Sequence, residues 1–255
     1  MKTNNQDALS KVPEVTFIFW LVKVLATTLG ETGGDAVTME PLKLGYAVGS
    51  AIFAVVFIGA VVAQIIADKY HPFVYWFTII ATTMLGTTVA DYVDRAIGIG
   101  YAGGTSILLV LVLLSLFTWR RAMGSVAIDT VNSPKSEAFY WTTIMFSQTL
   151  GTALGDWTAS EEGMNLGFAR SVMIFGALLA VIAAGYAWTK ISHTTLFWAA
   201  FILTRPLGAA VGDFLDKPHE EGGLEVNRAL ASGILLALIV AFVLVFPHRP
   251  ARRTD

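Results

Sequence analysis

The chain has 255 residues, 55% of them hydrophobic and only 14% charged, with 17 Lys and Arg against 19 Asp and Glu for a net charge of -2. A soluble domain carries about 25% charged residues, so this composition, with a mean hydropathy of +0.64, excludes an ordinary soluble globule and indicates an integral membrane protein with the lipid bilayer as its first partner. The small negative net charge argues against nucleic acid as a partner, and the absence of cysteine excludes disulfides, thiolate metal ligands and cysteine nucleophiles.

The chain opens with the polar segment MKTNNQDALSKVPE. It lacks an apolar stretch of its own, so it is not a cleaved signal, and the first span acts as the insertion signal. Apolar runs of bilayer-crossing length then predict an all-α bundle of eight spans, at roughly 14–38, 45–67, 72–93, 100–119, 136–157, 166–188, 193–215 and 228–246. Pro13 and Pro72 fall near the starts of spans one and three, where a missing N–H costs nothing. The whole chain, 1–255, reads as one membrane domain with internal repeats at 12–69, 70–121, 134–190 and 191–248. Residues 122–133 form a cytoplasmic linker and 249–255 a C-terminal tail.

The odd spans carry a repeated motif. They read FWLVKVLATTLGETGGD, YWFTIIATTMLGTTVAD, YWTTIMFSQTLGTALGD and FWAAFILTRPLGAAVGD. Each has a Trp (Trp20, Trp76, Trp141, Trp198), then Leu-Gly, then an Asp (Asp35, Asp91, Asp156, Asp213). The Trp–Asp separation corresponds to about 22 Å of helix, which puts the Trp at one membrane interface, as an aromatic belt anchor, and the Asp at the other. Repeats two and four share Asp91-Tyr92-Val93-Asp94-Arg95 and Asp213-Phe214-Leu215-Asp216-Lys217, which suggests a hairpin duplicated twice. Four parallel repeats with pseudo-fourfold or nested twofold symmetry follow, related by an axis along the membrane normal.

Lysine and arginine set the orientation. Lys2, Lys11, Lys69, Arg120, Arg121, Lys135, Lys190, Arg249, Arg252 and Arg253 lie on the side of the termini. Lys43, Arg95, Arg170, Lys217 and Arg228 lie on the motif side. Both termini are therefore expected in the cytoplasm, with the motif side outward. Glu40, Glu161, Glu162, Glu220, Glu221 and Glu225 would make an acidic mouth there, joined by Asp94 and Asp216, whose expected neutralising partners are Arg95 and Lys217.

Within the motif, Gly30/Gly34, Gly151/Gly155, Gly208/Gly212 and Gly86/Ala90 are small-xxx-small pairs, read as close helix packing. Such packing would gather the four Asp, which then need a cation, protons or basic partners. In repeat one, Lys23, Thr27, Glu31 and Asp35 follow at i+4 steps on one face. The equivalents of Thr27 are Thr83, Gln148 and Arg205, a polar layer roughly 12 Å from the Asp layer. Charges at membrane depth face a bundle interior or a water-filled path. They serve either as a site or as ion pairs between helices, Arg205 with Glu31 for example. The even spans carry almost no charge and read as lipid-facing scaffold.

There is no phosphate-binding glycine loop and no HExxH. The four histidines are scattered at span ends and in loops, and His219-Glu220-Glu221 reads as a solvated loop. Without a recognisable nucleophile or base the chain is not read as an enzyme, and a Schiff base at Lys23 is a remote alternative. Carboxylates, hydroxyls and amides select hard cations such as Mn²⁺, Mg²⁺ or Ca²⁺.

On the four Trp–Leu-Gly–Asp segments and on KVPEVTFIFWLVKVLATTLGETGGD, residues 11–246 resemble a family of bacterial membrane proteins made of four tandem two-span repeats, each with a characteristic Trp. The resemblance implies the architecture and no activity. The ETGGD string is similar to the ExGD[KR] signature of cation/proton exchangers, with one extra glycine and no basic residue after Asp35.

The expectation is thus a secondary transporter of a small inorganic cation in a bacterial inner membrane, exporting a divalent metal such as manganese against protons. Glu31, Asp35, Asp91, Asp156 and Asp213 would be the metal ligands. Thr27, Thr83 and Gln148 would line the path, and Lys23 or Arg205 would be the internal counter-charge. No cofactor is expected beyond a bound divalent cation, and homo-oligomers are compatible with the sequence. The competing expectation is a non-catalytic scaffold or assembly factor whose Asp residues are structural.

Overall fold

The structure, a computed structural model, describes residues 9–252. Lys2 and Arg253, counted above for orientation, lie outside the described residues. Eight long helices follow in chain order: α1 Phe17–Thr38, α2 Tyr46–Ile66, α3 Pro72–Asp91, α4 Tyr101–Met123, α5 Pro134–Ala159, α6 Phe168–Trp188, α7 His193–Asp216 and α8 Arg228–Val245. A π-helical turn, Tyr92–Ala96, extends α3. No strand occurs among the described residues.

The helix ends follow local chemistry. Thr16 accepts a hydrogen bond from the Phe19 N–H, and Ser133 and Ser136 form a reciprocal capping box, each satisfying N–H groups that a first turn leaves free. Pro72 and Pro134 occupy first-turn positions. Gly45 and Gly100 precede α2 and α4 at φ 76° and 78°, where a side chain would be strained. Pro13 lies outside α1, in an extended segment that bridges to Pro250.

Six of the eight helices (α2, α3, α4, α6, α7 and α8) are long and apolar enough to cross a membrane, and the chain is a multi-pass membrane protein. The other two, α1 and α5, are long enough at 22 and 26 residues but more polar. Their polar residues are inside: Lys23, Thr27, Thr28, Glu31, Thr32 and Asp35 on α1 are all buried, as are Ser147, Gln148, Thr149, Thr152 and Asp156 on α5.

The odd helices form a closed ring in which α1 packs on α3, α3 on α5, α5 on α7 and α7 on α1. The even helices lie outside it and expose apolar side chains such as Val55, Ile58, Val110, Met173, Val181 and Leu244. The two helices of a repeat are not each other's main partners. Instead α2 packs chiefly on α3, α4 on α5, α6 on α7, and α8 returns to α1. Each even helix thus covers the odd helix of the next repeat. An apolar groove of about 500 Å³ between α4 and α5, lined by Leu111, Leu114, Phe139 and Phe146 among others, includes none of the motif carboxylates.

Three of the four motif tryptophans lie too deep to anchor at an interface. Trp76, Trp141 and Trp198 are buried in the core and Trp20 is half-buried. Together with Phe19, Tyr75, Tyr140, Phe197 and Trp119 they make an aromatic floor across the terminal end of the ring. Phe19 meets Trp76 at 5.5 Å between ring centres and Tyr75 meets Trp141 at 5.7 Å. The Tyr75 and Tyr140 hydroxyls hydrogen-bond at 2.7 Å. Aromatic belts need lipid contact on one side, and the ring leaves Trp76, Trp141 and Trp198 none.

Beneath the floor three distant segments are tied together. Lys11 N–H donates to the Val131 carbonyl, and Ala251 N–H to the Val12 carbonyl. Lys11 Nζ pairs with Glu137 on α5 at 2.8 Å and donates to the Ile65 carbonyl at the end of α2 at 3.0 Å. Glu137 is fully buried. Lys11→Met is therefore expected to lower stability by about 3–5 kcal/mol, the usual effect of stranding one member of a buried pair, read as a lower melting temperature in detergent; an unchanged melt would mean that Glu137 has another partner.

Candidate functional site

The ring places five successive layers of side chains at i+4 steps, each about 6 Å along the helix from the next. From the aromatic floor they run Phe19/Tyr75/Tyr140/Phe197, then Lys23/Ile79/Ile144/Phe201, Thr27/Thr83/Gln148/Arg205, Glu31/Thr87/Thr152/Ala209, and Asp35/Asp91/Asp156/Asp213. Every one of these residues is buried.

Small residues make the layers possible. A Cβ at Gly30 would collide with Thr83, one at Gly86 with Gln148, one at Gly151 with Arg205 and one at Gly208 with Thr27. Each motif glycine thus seats a polar residue from the next odd helix. Four residues on, Gly34 faces Thr87, Gly155 faces Ala209 and Gly212 faces Glu31. At Gly86 the obstacle is backbone, with Gln148 C and Thr149 N both 2.9 Å from the added carbon. Gly86→Ala is expected to cost about 1–3 kcal/mol through overpacking, whereas Gly59→Ala on α2, with nothing within 4 Å, is the neutral control. Equal melting temperatures for the two variants would contradict this packing.

Arg205 is fully buried and reaches all three other odd helices. Its Nη2 bonds Glu31 Oε2 on α1 at 2.9 Å, Thr87 Oγ1 on α3 and Thr152 Oγ1 on α5. Thr87 in turn donates to the Gly30 carbonyl at 3.1 Å. Thr87 and Thr152 were not singled out in the sequence. The signal was the residue after each Leu-Gly, which reads Glu31, Thr87, Thr152 and Ala209 in chain order. In the layer below, Thr27 and Thr83 hydroxyls satisfy backbone carbonyls, including Thr204 and Ala26 of neighbouring helices. Gln148 Nε2 and Oε1 have no hydrogen-bond partner among the described residues, and neither has Lys23 Nζ, which lies 4.3 Å from the centre of the Phe201 ring. Lys23 is one layer below Arg205 and pairs with no carboxylate among the described residues.

The four motif aspartates are joined in twos by bases from their own end of the bundle. Arg95 bridges Asp91 at 3.1 Å and Asp156 at 3.0 Å. Lys217 bridges Asp35 at 2.7 Å and Asp213 at 3.2 Å. Burial disfavours the Lys217 ammonium, but the carboxylates of Asp35, Asp213 and Asp216 outweigh burial and hold its pKa well above the ordinary lysine value. The direct ion-pair partners of Arg95 and Lys217 are thus the motif aspartates and not the expected Asp94 and Asp216, which feel the two bases only at longer range. Asp216 pairs with Arg228 at 2.8 Å, and the Asp94 carboxylate lies against Gly104 with no hydrogen bond among the described residues. Arg228 opens α8, so an even helix contributes to the cluster after all. His219 turns its Nδ1 to the Gly223 carbonyl at 2.8 Å, in an exposed loop.

Of the expected metal ligands, Glu31, Asp156 and Asp213 present carboxylate oxygens within 4.8 Å of one another, from three different helices. Asp35, Asp213 and Asp216 form a second such group. Asp91 joins neither. The cluster as a whole holds seven carboxylates (Glu31, Asp35, Asp91, Asp94, Asp156, Asp213 and Asp216) against four bases (Arg95, Arg205, Lys217 and Arg228). Three carboxylates are left without a full positive counterpart, which a low-dielectric interior tolerates only with protons or added cations.

No curated protein and no solved structure matches the chain. Residues 18–70, 74–125, 139–192 and 196–248 each match the family described as Repeat of Unknown Function (DUF347). These segments cover most of the chain and coincide with the four Trp–Leu-Gly–Asp repeats, so the chain belongs to this repeat family.

Proposed function

We propose that the protein is a secondary transporter of a small inorganic cation, a proton-coupled exporter of a hard divalent metal such as manganese. The observation that carries this reading is the buried Glu31/Asp156/Asp213 group, whose three carboxylates converge from α1, α5 and α7. All-oxygen ligands suit hard cations. Protons and a cation would compete for the same excess carboxylates, which is the minimum needed for exchange.

In this reading all eight helices span the bilayer, with α1 and α5 shielded inside a ring of pseudo-fourfold, nested twofold symmetry. The termini are cytoplasmic in a bacterial inner membrane, following the lysine and arginine bias. Arg205 is the internal counter-charge. It holds Glu31 when no ion is bound and keeps its bonds to Thr87 and Thr152 when the ion takes Glu31. Thr27, Thr83 and Gln148 line the route below, and the aromatic floor and the Arg95 and Lys217 bridges close the two ends.

The scaffold reading has one observation in its favour, the ion pairs that link neighbouring odd helices. A thermal-shift panel of the purified protein in detergent with Mn²⁺, Mg²⁺, Ca²⁺, Na⁺ and pH, followed by flux into proteoliposomes, separates the two. A ligand of the native state raises its apparent stability. Selective stabilisation by one cation with matching flux supports transport; none with any cation or pH supports the scaffold.

A further inference from the structure

Two equivalent positions in the carboxylate cluster carry different bases in different settings. Arg95 and Lys217 each close an Asp-x-x-Asp-base pattern, and each bridges two motif aspartates. Arg95 sits within the turn that continues α3. Its planar guanidinium reaches Asp91 through Nε and Asp156 through Nη2, a fixed two-armed clamp. Lys217 stands one residue past α7, in extended backbone before Pro218 and the loop that leads to α8. Its head is a compact point charge on a flexible stem.

That ammonium lies 2.7 Å from Asp35 and 3.2 Å from Asp213. Asp35, Asp213 and Asp216 offer three oxygens within 4.8 Å of one another. Arg228 contacts Asp216 at 2.8 Å and Asp35 at 3.9 Å, yet Asp216 Oδ1, on a residue only 7% exposed, accepts no hydrogen bond among the described residues. The group therefore has unused acceptor capacity beside a displaceable charge. Asp213 is common to this group and to the inner Glu31/Asp156/Asp213 group, so an ion at the outer group is one carboxylate away from the inner one.

We propose that Asp35, Asp213 and Asp216 form an outer binding site for a hard divalent cation, and that Lys217 occupies it as a tethered substitute which the incoming ion displaces. The proposal rests on the cation-transport reading and adds its outer station. Displacement replaces one positive charge with two in a region short of positive charge; the Lys217 backbone stays hydrogen-bonded to Asp213 and Glu225, and only the flexible stem carries the ammonium away. Arg95 keeps the opposite pair closed.

The test is calorimetric titration of the purified full chain with MnCl₂, using wild type, Lys217→Met, Lys217→Arg, Lys217→Met/Asp216→Asn and Glu31→Gln. Lys217→Met is expected to bind Mn²⁺ about tenfold or more tightly than wild type, since removal of a competing positive charge of this kind shifts such equilibria by a factor of ten or more. Adding Asp216→Asn should cancel the gain, and Lys217→Arg should weaken binding below wild type. If Lys217→Met binds no more tightly than wild type while Glu31→Gln loses binding, the outer site is wrong and the transport reading stands. If no variant binds Mn²⁺, both are wrong. Should Lys217→Met stay monodisperse only with MnCl₂, the ion is replacing the lysine, as proposed. Should it aggregate in every condition, Lys217→Arg decides, and unchanged affinity there overturns the proposal.

Discussion

Arg205→Met is expected to lower the stability of the protein by about 3–5 kcal/mol, because it strands Glu31 as a buried, unpaired carboxylate. The effect should exceed that of any other single substitution in the ring. From α7, the Arg205 side chain hydrogen-bonds to α1, α3 and α5. Its stem also fills the hollow over Gly151. Lysine would not replace it, since a single ammonium lacks the fork that meets a carboxylate and two hydroxyls together. Removing the charge on both sides, with Arg205→Met and Glu31→Leu, should recover much of the loss, as apolar replacement of whole buried pairs commonly does. That double variant should also lose any cation response. Melting curves of the three proteins in detergent, with and without Mn²⁺, check this; an additive loss in the double variant would mean that the pair is not the source of the effect.

Asp213→Asn is the second large effect, and it falls on function. Asp213 belongs to both groups of three carboxylates, so one change removes a charge from each. Loss of a residue that merely orients a metal ligand costs about 10–100-fold in affinity, and loss of a shared direct ligand should cost at least that much. Flux in proteoliposomes and Mn²⁺-dependent stabilisation should therefore both disappear. Asparagine retains the shape and one acceptor for Lys217, so the fold should persist, with a modestly lower melting temperature. Asp94→Asn is the matched control: it removes a buried charge from the same end of the bundle but from neither group, and it should leave the cation response intact. Retention of that response in Asp213→Asn would place the cation elsewhere.

Much of the helix layout was readable in the sequence because apolar length and repeat spacing report it directly. The expected 193–215 span is the α7 helix His193–Asp216, and the expected 45–67 span is Tyr46–Ile66. The glycine spacing also conveyed its role, since only close helix approach requires small residues four apart. The tryptophans misled for a physical reason: an aromatic pair at a helix end serves equally as a lipid anchor or as the floor of a ring, and only the position of the other helices decides. The pairing of Arg95 with Asp91 and Asp156 was hidden for a similar reason. Nearness in sequence favoured Asp94 as its partner, but the π-helical turn directs the guanidinium across to α5. Thr87 and Thr152 take their role from the arginine of a fourth helix, which bonds both.

The offset packing of the even helices has a topological consequence. Because α2 covers α3, α4 covers α5, α6 covers α7 and α8 covers α1, the circuit of contacts has no natural beginning. The described segments before α1 and after α8 meet beneath the floor, where the Ala251 N–H donates to the Val12 carbonyl. A chain whose α8 ran on into α1 and that opened between α2 and α3 would keep the same pairing of even helices on odd ones, so the ring of contacts does not depend on which interhelical link is covalent.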